Sequence, residues 1–259
     1  MSARRSVLLG AISGAVVAAL VAAGSRIYRS RALDRRPSLG AIEVPEASAA
    51  FAHIASLPQM WLLRRLAIQR ALALFGEAPV ARNAVDLGCG PGHLVVELAE
   101  AAPGLRVTGI DLSTPLLGEA QRRAIEAGLA QQVDFRTGDV SAAPLGDASV
   151  DLAISTLSLH HWDDPIAVLD EVARILRPGG HFLIFDLRRD MIPPFYLLIW
   201  FATRYIVPQA LRHMGEPMGS RNAAYTPGEA AALAQASRLT GWHVASGPFW
   251  MSIEGTKVG

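Results

Sequence analysis

The stretch VDLGCGPGHLVVEL, Val85 to Leu98, decides how this chain is read. An apolar run ends near Leu87, glycines follow at Gly88, Gly90 and Gly92, and a helical pattern begins at once. A glycine turn leading from the end of a first strand into a helix is where open α/β sheets bind ligands. Glycine lets the backbone approach a ligand closely, and the helix N-terminus adds partial positive charge. A dinucleotide binder spaces its glycines G-x-G-x-x-G to seat a pyrophosphate. Here the spacing is G-x-G-x-G, and Asp86 stands two residues ahead of it. A carboxylate beside the turn repels a pyrophosphate and attracts an ammonium group, so the turn suits a ligand with a nucleoside and a cationic amino-acid end.

Outward from this turn, short β-branched or aliphatic runs alternate with helix-length segments: AVDLG, RVTGID, VDFRTGD, VDLAIST and HFLIFD. That alternation predicts βαβ units and a parallel sheet wound right-handedly. Asp164 is placed to cap a helix with Pro165 in its first position, and TPGE at Thr226 to Glu229 reads as a capping box. Gly179 and Gly180 are expected to end a helix before HFLIFD. WHVASGPF and MSIEGTK are expected to be the last two strands, an antiparallel edge. Ala47 to Phe75 carries apolar residues at helical spacing, enough for two helices at most.

VDLGCGPGH resembles the first motif of the class I S-adenosylmethionine-dependent methyltransferases, of the methyltransferase-11-like kind, and further motifs follow in that family's order from Val85 to Asp186. The resemblance implies an α/β, Rossmann-like sheet of about seven strands with S-adenosylmethionine as cofactor and no metal. It places Asp86, Gly88, Gly90 and Gly92 at the cofactor. It makes Asp111, with Leu112 beside it, the acid that accepts the ribose hydroxyls, and sets Asp139 and Val140 against the adenine. The plainer readings are a tight turn for the glycines, a helix cap for Asp111 and a solvent-facing turn for Asp139. VDLAISTLSLHHWDDP and ARILRPGGHFLIFD are similar to the fourth-strand motif and the helix-turn-strand after it. The implied reaction is displacement of methyl from a sulfonium, for which the protein mainly aligns the reactants and excludes water. A base is needed only where the acceptor must lose a proton. His160 and His161 are the catalytic candidates, set against packing or capping roles. Asp186 is a lesser candidate for positioning the acceptor, and Asp163 and Asp164 read as caps.

With 51% hydrophobic and 18% charged residues and a net charge of +1 over 259 residues, the chain is not disordered overall and lacks the basic excess that tracks nucleic acid. Its one cysteine, Cys89, excludes an intrachain disulfide and reads as a small buried side chain rather than a reactive thiol. Residues 6–25 carry no charge and as a helix would span about 30 Å. The run reads as a membrane anchor, a cleaved signal peptide or a buried helix. The arginines after it, from Arg26 to Arg36, outnumber Arg4 and Arg5 before it, which places an anchored catalytic domain in the cytoplasm. The division is therefore an anchor and linker at 1–45 and a methyltransferase domain at 46–259, with core motifs at 83–187 and an apolar, lid-like insertion at 191–222. That insertion, rich in aromatic residues, is either a buried helix or a lid over a small, lipophilic acceptor, an arrangement similar to that of quinone-biosynthesis methyltransferases. Two other functions stay open: a cofactor-binding module without transfer activity, and a nicotinamide-dependent oxidoreductase.

Overall fold

The computed structural model describes residues 16, 19–31, 34–36, 52–75, 82–207, 209, 212 and 215–258. Strand β1, Arg82–Leu87, is buried along its last four residues and lies near the middle of a seven-stranded sheet. Its neighbours are β2, Leu105–Asp111, and β4, Val150–Thr156, both parallel to it. β3, Val133–Thr137, extends the sheet beyond β2, and β5, Leu176–Leu187, pairs in parallel with β4. The order β3-β2-β1-β4-β5-β7-β6 places the reversal of winding between β1 and β4. A crevice outside the carboxyl ends of the strands is expected at that point.

β7, Trp250–Thr256, pairs antiparallel with β5 and with β6, Trp242–Ser246. The expected antiparallel pair therefore forms, but β7 is interposed and β6 takes the edge. The expectation for Gly179 and Gly180 needs correction. The helix α4, Pro165–Ile175, stops before them, and β5 already begins at Leu176. Between the pairs Val150↔Leu176 and Leu152↔His181 the register shifts, so the glycines lie in an irregular excursion of the strand. Gly179 takes φ of +76° there, a conformation that other residues seldom adopt.

Each face of the sheet buries its own apolar layer. Along β5, Phe182 and Ile184 join one cluster with Val168, Leu169 and Val172 of α4 and with Ala230 and Ala234 of α7, Pro227–Ala236. The alternate residues Leu183 and Phe185 join the other. That second cluster holds Ala67, Ile68 and Ala71 of α1, Pro58–Phe75, together with Leu94, Val95 and Leu98 of α2, His93–Ala101. It also takes Leu117 and Ala124 of α3, Thr114–Glu126. Side chains alternating across a strand produce this division. Arg64 joins α1 to α2 through a bidentate pair with Glu97, with an Nη2–Oε1 distance of 2.7 Å. Two of the expected caps form: Asp164 accepts from Ala167 N at 3.0 Å, and Thr226 and Glu229 make a reciprocal capping box.

The insertion forms α5, Pro193–Phe201, a π-helical turn at Ala202–Ile206, and α6, Met218–Ala223. Of α5 only Tyr196 is buried, so the helix is not one wholly buried against the sheet. Residues 6–15, 17 and 18 of the uncharged run lie outside the described residues, while 19–29 are helical. Among the described residues no helix is long and apolar enough to cross a membrane. Residues just after the run touch the insertion. Tyr28 donates from its hydroxyl to Met191 O at 3.2 Å and meets Tyr196 edge-on, ring centroids 5.5 Å apart. The sequence reading assigns Tyr28 and Arg35 to anchor and linker, whereas their side chains rest on the body that carries the sheet.

Candidate active site

The turn after β1 is held by backbone geometry. Gly88, Gly90 and Gly92 take φ of +77°, +51° and +73°. At Gly92, the N-cap of α2, a Cβ would lie 2.6 Å from Ala120 Cβ on α3. Gly92→Ala is therefore expected to cost about 3 kcal/mol of stability, from overpacking together with a left-handed backbone. A urea titration of parent and variant measures it. At Gly90, by contrast, a Cβ would meet nothing within 4 Å, so the turn is open on that side.

Asp111 closes the end of β2 beside this opening. Its Oδ2 accepts from Gly90 N at 2.8 Å and its Oδ1 from Ser113 N at 2.9 Å. Burial raises its pKa from the ordinary carboxylate value, against the lowering effect of these backbone donors. A carboxylate has about four acceptor positions, and although Leu112 N–H also bears on this one, acceptor capacity is left for a further donor. The neighbouring Leu112 is 69% exposed, an apolar side chain with room for a ligand to cover it. The helix cap at this place is supplied by Ser113, which accepts from Leu116 N.

Asp86 lies below the turn, 1% exposed, and its Oδ1 has no hydrogen-bond partner among the described residues. Burial, and then the nearby charge of Asp111, push its pKa well above the ordinary value. A buried acceptor left unpaired is costly, and a cationic donor would relieve it. Cys89 is buried, and burial followed by the charges of Asp86 and Asp111 raises its pKa, so it stays a thiol. Asp139 is exposed and caps the turn Val140–Ala142, its Oδ1 accepting from Ser141 N and Oγ, each at 2.8 Å. Val140 is half-buried against the core. Asp139 thus has a local structural task whether or not it also meets a ligand.

Beyond β4, His160 and His161 sit on a single 3-10 turn, Leu159–His161, with ring centroids 4.0 Å apart. Their settings differ. His160 Nδ1 is 2.9 Å from both carboxylate oxygens of Asp186, and the same carboxylate accepts from His160 N at 2.9 Å and Leu187 N at 2.6 Å. Burial lowers the His160 pKa, but the Asp186 charge and hydrogen bond outweigh it and the net shift is upward. Its Nε2 has no partner among the described residues. His161 has no hydrogen-bond partner on either ring nitrogen among the described residues, and burial, followed by the charge of His160, lowers its pKa to about 4. Sequence reading named His160 and Asp186 separately; the fold joins them. It gave no sign of Arg35, whose Nε donates to Ala223 O at 2.7 Å and whose guanidinium lies 4.2 Å from the centroid of the Tyr225 ring. Arg35 Nη2 also reaches His160 O at 3.4 Å.

His161 makes stability sensitive to acid. Unfolded, it takes a proton near pH 6.5, whereas folded it stays neutral until about pH 4. Within that window the unfolded chain binds more protons, so this contribution is present at neutral pH and lost as pH falls. His161→Gln is expected to lose about 1–2 kcal/mol less stability than the parent on going from pH 7 to pH 5. Urea midpoints at both pH values, parent against variant, isolate this from the opposite tendency of Asp86.

Residues 85–184 match a family model described as a methyltransferase domain. Demethylmenaquinone methyltransferase of Thermus thermophilus is 34% identical over 123 residues, 48% of this chain and 53% of that protein. Ubiquinone biosynthesis O-methyltransferase of Aeromonas salmonicida is 31% identical over 153 residues, 53% and 62% respectively. The chain spans 19% to 62% of the length of the curated relatives it matches. Among solved structures, a SAM-dependent methyltransferase from Aquifex aeolicus superposes with a TM-score of 0.60 at 18% identity, covering 83% of this chain and 99% of that one. Geranyl diphosphate C-methyltransferase of Streptomyces coelicolor, solved with S-adenosyl-L-homocysteine, gives 0.57 at 17%, covering 88% and 92%. At these identities the structural likeness concerns the fold.

Proposed function

Because residues 85–184 match the methyltransferase-domain family and the sheet has the fold of S-adenosylmethionine-dependent methyltransferases, we propose that this chain transfers a methyl group from S-adenosylmethionine to a small, lipophilic acceptor. The observation that carries the proposal is the pair of acids at the glycine turn, Asp111 beside its open side and Asp86 buried beneath it. Asp111 keeps acceptor capacity for the two ribose hydroxyls, and the unpaired Oδ1 of Asp86 suits the ammonium of the amino-acid end. S-adenosylmethionine supplies, when bound, a methyl group on a sulfonium, already activated toward a nucleophile. The chain's own contribution is alignment, exclusion of water and, for a protonated acceptor, removal of a proton.

His160 serves that last purpose better than His161. In neutral His160, Nδ1–H donates to Asp186, which leaves the lone pair on Nε2, the nitrogen without a partner among the described residues. The imidazolium formed when Nε2 takes a proton is stabilised by Asp186. His161, held neutral to about pH 4, is a poor base near neutrality. Support for a lipophilic acceptor comes from the aromatic insertion, whose helix α6 meets the turn that carries His160, and from the quinone-pathway names of two relatives.

The test is mass spectrometry of a lipid extract incubated with the protein and isotopically marked donor. Marked methyl in an extractable product is the expected result. Donor binding with no marked product in any extract would leave the cofactor-binding module without transfer activity. Thermal protection by a nicotinamide dinucleotide but not by S-adenosylmethionine would favour the oxidoreductase.

A further inference from the structure

The helical residues 19–29 lie along α5: a Cβ at Gly24 would be 3.1 Å from Leu197 Cδ1, and Tyr28 packs edge-on against Tyr196. The inner sides of both segments are used in this contact. Their outer sides are apolar and bare. Of the thirteen large hydrophobic residues exposed among the described residues, six belong to these two segments and the π-helical turn that follows α5. They include Leu20 and Val21 on one side and Leu198, Phe201, Tyr205 and Ile206 on the other, between 49% and 67% exposed. Leu198, Phe201 and Tyr205 follow one another at intervals of three and four residues, which lines them along one stripe of the helix. Exposed apolar area concentrated in this way marks an interaction surface rather than scattered surface residues.

Charge identifies the occupant. Residues 1–33 hold five arginines, and the first acid is Asp34; residues 191–215 hold Arg204 and Arg212 and no acid. The chain as a whole is near neutral, so the basic character is local to these two segments. An apolar stripe flanked by more arginines than acids, with Arg204, Arg212 and Arg221 against Glu216 across 191–222, suits an anionic bilayer surface. Pairing with a second copy would set those same arginines against each other.

We propose that α5 and the turn after it form a second membrane-contacting element, lying in the interface of an anionic bilayer beside the 19–29 helix, with Leu198, Phe201 and Tyr205 among the acyl chains. α5 begins seven residues after Asp186, so the proposal puts a lipid-facing element next along the chain from the dyad. The proposal extends the reading of an anchor at residues 6–25 and does not depend on which acceptor is methylated.

The test uses the full chain with single-cysteine labelling, in which the buried thiol of Cys89 serves as unlabelled background. Leu198→Cys and, separately, Tyr205→Cys carry an environment-sensitive fluorophore; Asp147→Cys, on the 81%-exposed side chain near the opposite end of the strands, is the control. With vesicles containing phosphatidylglycerol, both α5 labels are expected to shift to the blue and to be quenched at least threefold by brominated acyl chains, with the control label unchanged. Labels at 198 and 205 that behave like the control overturn the proposal. So does a shift that follows protein concentration rather than lipid, which would indicate a second copy. Calorimetric binding of S-adenosylmethionine by the same preparations separates the two readings: intact binding with unquenched labels rejects only the docking face, and lost binding with quenched labels rejects only the function.

Discussion

Replacing Asp111 by alanine is expected to weaken S-adenosylmethionine binding by a factor of about 100 to 10,000. Two hydroxyl-to-carboxylate hydrogen bonds would be lost, each worth roughly 1.5–3 kcal/mol, and about 1.4 kcal/mol corresponds to a tenfold change. The variant also removes the acceptor for Gly90 N and Ser113 N, so the turn loses its tie to the end of β2. Asp111→Asn keeps one oxygen acceptor and is expected to lie between parent and alanine variant. Isothermal calorimetry on the three proteins measures the order. An alanine variant within threefold of the parent would remove Asp111 from the cofactor site and, with it, the main support for the functional reading.

The second large effect is at Asp186. Its carboxylate serves His160 N, His160 Nδ1 and Leu187 N, and it is 1% exposed. Asp186→Ala leaves these donors buried without their acceptor, at an expected cost of about 3–5 kcal/mol in unfolding free energy. Asp186→Asn retains shape and one acceptor while removing the charge, so it isolates the electrostatic part. Without that charge the His160 pKa is expected to fall, which NMR titration of the ring protons follows independently of any acceptor. The pH dependence has a definite sign. The folded pKa of His160 is raised, so the stability contributed by its pairing is complete below about pH 6.5 and is lost as pH rises through the folded value. The penalty of Asp186→Asn is therefore expected to be largest at mildly acidic pH and to shrink on alkalinisation. A penalty independent of pH, with an unmoved His160 titration, would make Asp186 a packing residue only.

The likeness to quinone-pathway methyltransferases and the bare apolar stripe on α5 bear on the same question from different sides. A lipophilic acceptor partitions into a bilayer, so an enzyme whose acceptor side faces lipid takes it from there without its crossing water. On the proposal made above, the contacts of Tyr28 and Arg35 would link a bilayer-facing segment to the residues around His160.

What the sequence determined alone is local. The glycine turn, the acid before it, the five strand-like runs and the caps at Asp164 and Thr226 are legible because backbone sterics, periodicity and capping act within a few residues. Where a local rule met a competing long-range one it failed: Gly179 and Gly180 read as a helix stop, yet pairing with β4 draws Leu176 into the strand ahead of them. Only the tertiary structure decided the rest. His160 and Asp186 are 26 positions apart, Arg35 and His160 are 125, and Tyr28 and Met191 are 163. Such pairs depend on how whole elements pack, and neither side chain's immediate neighbours encode the other. The same reason applies to α5 and the turn after it, where sequence showed an apolar segment and packing alone settled that Tyr196 turns inward while Leu198, Phe201 and Tyr205 are left outside.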